Sequence, residues 1–303
     1  MRLASLVHQA RANARDAVEL VLIPALAAVL PWPLCFRIFR SLAGRFSWLY
    51  RASCESALRE AHARGWVPDD QQGQWIARRR LVTLVDHADM YLSATRSDAW
   101  MARHLKVTGT WPQANEAGIF CTFHWGAGMW GLRHAGVTGM HAHALVAALD
   151  GAHFAGRPVL HWYARRRTAM VARALCGPVL DVSASLRPAL RALRTKEQVM
   201  AAMDVPSDQV AASIPVRIAG LEALVPKALL RLAVDQKVPV AIYLTGLDAG
   251  TGQRFLSIEQ LGTFADLDAL AQAVFERLDV AIRADSAAWH FWSEAPRFFD
   301  HAR

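Results

Sequence analysis

The chain is poor in cysteine, and its four, Cys35, Cys54, Cys121 and Cys176, stand far apart with no Cys-x-x-Cys spacing. That argues against a zinc site and a disulfide framework, and suits a reducing cytosol. No long Gly/Ser linker, low-complexity tract or internal repeat interrupts the 303 residues. The length suits one large α/β domain or two small ones. No zinc finger, RNA-recognition signature or lysine-rich tail is present, so nucleic acid ranks last among anionic partners. No Gly-x-Ser-x-Gly elbow occurs, which favours direct transfer chemistry over a serine acyl-enzyme. A comfortable membrane span is also missing. The uncharged run Leu20–Phe36 is at the short limit of the roughly 20 residues a spanning helix needs. Pro24, Pro31 and Pro33 interrupt it further.

What is present is apolar and basic. Hydrophobic residues make up 53% of the chain, too many for disorder. The formal net charge is +8, which fits an anionic membrane face or an acidic carrier protein. Arg2, Arg11 and Arg15 precede the apolar run, Arg37 and Arg40 follow it, and Trp32 stands at its edge. This pattern reads as a membrane-interface element, with a buried helical hairpin as the alternative. Residues 1–45 are therefore expected to form a membrane-associating helical segment, and 46–303 an α/β domain. Residues 41–105 look helical, with a turn at Trp66-Val67-Pro68-Asp69-Asp70 and a helix from Gln72 to Arg103. Arg78-Arg79-Arg80 on that helix reads as a solvated face.

From about Leu105 strands alternate with helices, the mark of a mostly parallel sheet. Strands are expected at Ile119–Phe123, Ala144–Ala148, Pro178–Val182, Val199–Met203, Ile214–Ile218, Val240–Leu244 and Phe255–Ile258. Helices are expected near Gly128–His134, Arg157–Leu175, Ser185–Arg194, Pro226–Asp235 and Asp266–Ala284.

The chain is organised around Gly118-Ile119-Phe120-Cys121-Thr122-Phe123-His124-Trp125-Gly126-Ala127-Gly128-Met129-Trp130. An apolar strand ends in a His and a glycine-rich turn before a helix, where open α/β sheets place their chemistry. His124 can remove a proton from an alcohol or amine attacking an acyl carbonyl. The N–H groups from Gly126 to Gly128 are candidate donors to the oxyanion that forms. Trp162-Tyr163-Ala164-Arg165-Arg166-Arg167 is either a phosphate-binding cluster or a solvated basic face. Val199–Met203 leads into Asp204-Val205-Pro206; in a parallel sheet Asp204 reaches the same rim as His124. Glu222 follows the turn at Ala219-Gly220 and either reaches a site or faces water. His141 and His143 would share a strand face, but no third metal ligand accompanies them, and no metal is expected.

The order of these motifs resembles the bacterial lipid A secondary acyltransferases, the lauroyl/myristoyl transferases of the lysophospholipid acyltransferase group. In that family an apolar strand leads into His-x-x-x-x-Glu or Asp, and His124 matches the His. Arg166 or Arg167 falls near a helical Arg of the family, and Ala189–Leu193 through Asp204 matches a further segment. Arg217–Pro226 resembles the family's Phe-Phe-Gly-x-x-Ala-x-x-Pro region, and Ile282–Trp292 its Trp-x-Trp ending. Val29-Leu30-Pro31 resembles its N-terminal membrane-associated segment. The resemblance implies a mixed, mostly parallel sheet with helices on both faces. It implies an acyltransferase at the cytoplasmic face of the inner membrane. Acyl carrier protein or coenzyme A thioester would be donor and co-substrate, with no other cofactor, and a lipid or lipid-like molecule would be acceptor. His124 would be the general base, with Asp204 as a further catalytic residue. Gly126, Gly128, Met129, Arg166, Arg167 and Glu222 would form the oxyanion and substrate-binding set.

One departure matters. Met129 occupies the position of the family's acidic residue, and a thioether cannot orient an imidazole. Three readings stay open. Asp204 or Asp150 supplies the acid from another strand; His124 acts alone on an activated thioester; or the chain is a non-catalytic relative that binds acyl chains or carrier proteins. A tailoring acyltransferase of a polyene or other secondary metabolite is the alternative within the fold.

Overall fold

β-prone runs from Leu105 onward assemble into one seven-stranded sheet in a computed structural model, which describes residues 2–114, 116–147, 151–206, 208 and 212–300. The strands are β1 (Leu105–Thr108), β2 (Gly118–Thr122), β3 (Ala142–Val146), β4 (Leu180–Asp181), β5 (Gln198–Ala202), β8 (Val240–Leu247) and β9 (Arg254–Gly262), while β6 (Ser213–Ile218) and β7 (Leu221–Pro226) form a separate hairpin. The order is β1-β9-β8-β2-β5-β3-β4. Only β8 and β9 pair antiparallel, so the sheet is mixed and mostly parallel. All seven expected strands have counterparts, although Ala148 at the end of one lies outside the described residues. β1 and β7 were not expected. Pro226 ends β7 instead of opening the next helix, which begins at Ala228.

The helices are α1 (Arg2–Asp16), α2 (Leu26–Val29), α3 (Trp32–Arg45), α4 (Arg51–Ala63), α5 (Gln72–Thr95), α6 (Asp98–Arg103), α7 (Met129–Val137), α8 (Pro158–Ala174), α9 (Arg187–Arg194), α10 (Ala228–Gln236), α11 (Leu267–Ala284) and α12 (Ala295–Phe299). A π-helical turn, Ala17–Leu22, follows α1. The expected helix from Gln72 to Arg103 is broken in two. Ser97 stops it by accepting the Trp100 N–H and starting α6.

β2 shows how the sheet is covered. Ile119, Cys121 and Phe123 enter a core shared with Leu193 of α9, Leu230 of α10 and Phe275 of α11. Phe120 enters a second core with Phe39 of α3, Leu84 of α5, Trp130 of α7 and Tyr163 of α8. Successive strand residues point to opposite faces, so helices pack on both.

The N-terminal segment is built into that second core. Trp32, expected at a membrane edge, is 3% exposed. The Arg254 guanidinium lies between Trp32 and Trp130, 4.1 and 4.0 Å from their rings, and is paired with buried Asp89. A buried guanidinium needs both its charge and its faces covered, and this claims Trp32 for the interior. No helix among the described residues is long and apolar enough to cross a membrane.

Candidate active site

Parallel pairing of β2 with β5 sets the site. Thr122 lies opposite Ala202, and the Met203 N–H continues the ladder to the Thr122 carbonyl at 2.9 Å. Two residues beyond that pair, the strands deliver His124 and Asp204 to one rim. The His124 backbone N–H donates to both Asp204 oxygens at 3.0 and 2.9 Å. Its ring Nδ1 lies 2.9 Å from Asp204 Oδ1. A carboxylate only accepts, so Nδ1 carries the hydrogen and the neutral ring keeps its Nε2 lone pair free. The Asp204 side chain is 0% exposed and that of His124 43%. The ring rests on Phe291, centroids 4.3 Å apart. This is an oriented imidazole with an open base face. Asp150, the other candidate acid, lies outside the described residues.

The C-terminal segment 285–292 clamps this pair. Trp289 Nε1–H donates to Asp204 Oδ2 at 2.9 Å. The His290 N–H donates to the His124 carbonyl at 2.7 Å, and the Gly126 N–H to the Ala288 carbonyl at 3.0 Å. His290 Nε2 donates to the Gly126 carbonyl at 2.7 Å. Burial lowers the His290 pKa to about 4, so its ring is neutral at pH 7. Buried Arg79 then anchors the segment, giving Nη1 to the Ala287 and Trp289 carbonyls and Nη2 to that of His290. The solvated face expected for Arg78-Arg79-Arg80 is therefore corrected. Arg79 and Arg80 are 4% and 6% exposed, because carbonyls of irregular backbone need donors that the sheet does not supply.

Gly126 does different work from that expected. Gly126 has φ +71°, and a Cβ there would sit 2.1 Å from the Thr245 carbonyl oxygen. Close approach to β8 demands glycine, and its N–H is committed to Ala288, so it is not an oxyanion donor. The Ala127 N–H is likewise committed to Thr245 at 3.0 Å. The N–H groups of Gly128, Met129 and Trp130, at the start of α7, have no hydrogen-bond partner among the described residues.

Met129 is 2% exposed and belongs to the buried cluster with Phe120 and Tyr243. It does not line an open substrate site. Met129→Glu should therefore destabilise the fold by on the order of 3–5 kcal/mol through an unpaired buried charge and should not raise activity. Denaturant titration with a turnover assay checks this; a faster, equally stable variant would put the Met129 position beside the imidazole.

The basic cluster on α8 splits. Arg166 is exposed and has no partner among the described residues. Arg167 points inward: Nη2 donates to Asp86 Oδ1 at 2.8 Å and Nη1 to the Tyr163 hydroxyl at 3.2 Å. The Tyr163 hydroxyl in turn meets His87 Nδ1 at 2.6 Å. Burial pushes the Asp86 carboxyl up, but Arg167, His290 and His87 more than offset this and hold it at about 2. Arg167 is thus held in a part-buried ion pair, its side chain 30% exposed, and a phosphate would compete with Asp86 for it. Glu222 lies exposed on the β6–β7 hairpin opposite Arg217, with no partner among the site residues. Among the described residues no cluster suits a metal; His143 instead meets the Pro178 carbonyl and Glu197.

No family model and no curated protein matches the chain. The acyltransferase reading therefore rests on the motifs and on the His124–Asp204 geometry.

Trp289 offers a direct probe of that geometry. Trp289→Phe keeps an aromatic ring and removes the donor to Asp204 Oδ2. The carboxylate charge then falls more fully on His124, so the imidazolium is favoured and the acid limb of the pH–rate profile should move to higher pH. Loss of this buried hydrogen bond should also cost about 1–3 kcal/mol. A lower rate with an unmoved profile would make Trp289 a packing residue only.

Proposed function

We propose that the chain transfers a fatty acyl group from an acyl carrier protein or coenzyme A thioester to a hydroxyl or amine of a lipid or lipid-like acceptor. The observation that carries this reading is the His124 ring held through Nδ1 by Asp204, with Nε2 free at an exposed rim. In the proposed reaction Nε2 takes the acceptor proton as the acceptor oxygen or nitrogen bonds to the thioester carbonyl carbon. Asp204 stabilises the imidazolium. The tetrahedral intermediate collapses, the carbon–sulfur bond breaks, and the imidazolium returns its proton to the departing thiolate. Gly128, partly exposed at the start of α7 with its N–H uncommitted, is the donor left for the oxyanion, since Met129 and Trp130 are buried. The basic charge suits an acidic carrier or anionic lipid, and the proposed location is the cytoplasmic face of the inner membrane.

Purified full-length chain is to be incubated with acyl carrier protein and coenzyme A thioesters and a lipid extract, with products read by mass spectrometry. A new acylated lipid with release of free thiol is expected. Binding of the acyl carrier protein without any thiol release would replace this reading with that of a non-catalytic binder.

A further inference from the structure

The apolar run Leu20–Phe36 suggests a linear membrane element, yet Trp32, Phe36 and Ala27 are buried in the core. Of its apolar residues Leu22, Val29 and Leu34 are exposed, and the first of these lines a groove. The π-helical turn Ala17–Leu22 and the first turns of α8 enclose a groove of about 410 Å³, lined by Ala17, Val21, Leu22, Pro158, Val159 and Trp162. No side chain lining it is polar. Leu22 is 63% exposed and Trp162 50%. The walls are pinned together at one end, where Arg157 grips Asp16 through two hydrogen bonds of 3.0 and 2.6 Å. Asn13 also ties α1 to the Gly156 carbonyl at 2.8 Å.

Charge borders this groove. The exposed residues of α8 are Pro158, Trp162, Arg165, Arg166, Ala169 and Arg173, whose spacing places them on one helix face. On α1, Val7, Arg11 and Arg15 are exposed at four-residue spacing. Arg11, Arg165 and Arg166 have no acidic partner among the described residues. An indole and a leucine held at the surface beside unpaired guanidiniums match a headgroup boundary, where the ring is half wet and each cation meets phosphate. A leaflet supplies both kinds of group at once, phosphate for the arginines and hydrocarbon for the groove. We propose that the α1–α8 face docks on an anionic phospholipid leaflet, the groove receiving one lipid acyl chain while Arg11, Arg165 and Arg166 meet lipid phosphates. This rests on the membrane-facing part of the reading above, not on acyl transfer.

Flotation of the full chain tests it, with vesicles of phosphatidylcholine alone or mixed with phosphatidylglycerol. The chain should bind the mixed vesicles, and high salt should weaken binding without abolishing it, since apolar burial is not screened. Leu22→Ser with Trp162→Ser should lower partitioning ~10-fold or more; a Trp162→Tyr control should retain it. Arg165→Glu with Arg166→Glu should also lower it ~10-fold or more, chiefly at low salt. His124→Ala should float as the parent does, so failure of the catalytic reading leaves this result readable. The proposal is overturned if both double variants float like the parent, which places the contact elsewhere. It is also overturned if the parent ignores anionic vesicles but binds an acidic carrier protein through Arg165 and Arg166.

Discussion

Replacing His124 with alanine should lower acyl transfer by ~10²–10⁴-fold, the contribution of one positioned base, while the protein stays folded. An alcohol acceptor is almost fully protonated at neutral pH, so its attack on a thioester needs a base at the moment of bonding. The imidazole is the group at the β2–β5 rim with a free lone pair at an open face, since Nδ1 is taken by Asp204. The fold should tolerate the change because the side chain is nearly half exposed. Asp204 also keeps its other donors, the His124 backbone N–H and the Trp289 indole. The loss is one hydrogen bond and the ring contact with Phe291, worth about 1 kcal/mol. Single-turnover assays on a verified donor and acceptor, with a thermal melt alongside, read both effects. Full turnover by the alanine variant ends the His124 mechanism.

The His124–Asp204 pairing was legible in the sequence because it is a consequence of topology. Two apolar runs, each ending in a polar residue, become neighbouring parallel strands, and parallel strands end at the same rim. The residues that hold the pair in place were not legible. Arg79 lies on α5, and the carbonyls it anchors are about 210 residues later in irregular backbone. An arginine triplet with no acidic partner nearby looks solvated from sequence, because carbonyl acceptors leave no mark on residue type. Trp289 stands in Trp289-His290-Phe291-Trp292, and nothing in that Trp-x-x-Trp spacing aims its indole at Asp204. Gly126 reads from sequence as a glycine that lets a substrate approach backbone N–H groups, but it is a neighbouring strand that needs it. The missing side chain admits the β8 backbone, and the same approach uses up neighbouring N–H groups. Arg166 and Arg167 are adjacent in sequence and point in different directions, since successive helical residues turn by about 100°. One is left to solvent and the other to Asp86.

Asp204 should prove costlier to remove than His124, and its two simplest substitutions should fail differently. The Asp204 carboxylate is fully buried and accepts from the His124 backbone, the His124 ring and the Trp289 indole. Asp204→Ala strands the buried Trp289 and backbone donors together. At about 1–3 kcal/mol for each unsatisfied group the loss is about 2–6 kcal/mol, a large part of the total stability of a typical domain. This variant should melt early and express poorly. Asp204→Asn keeps the volume and one acceptor oxygen, so it should lose about 1–3 kcal/mol and remain folded. Its amide cannot stabilise an imidazolium, and its NH₂ sets a donor against a donor or forces the other tautomer, which puts the hydrogen on Nε2. The expected rate loss is ~10³–10⁴-fold, as for an asparagine in a catalytic triad. The decisive measurement is the cycle of His124→Ala, Asp204→Asn and the double variant. If Asp204 acts through His124, the double variant should be no slower than the worse single one, because the second change removes a group already without function. Losses that multiply would give Asp204 a role independent of His124. An Asp204→Asn protein that keeps its rate would leave His124 working without a carboxylate, and the buried contact would then be structural.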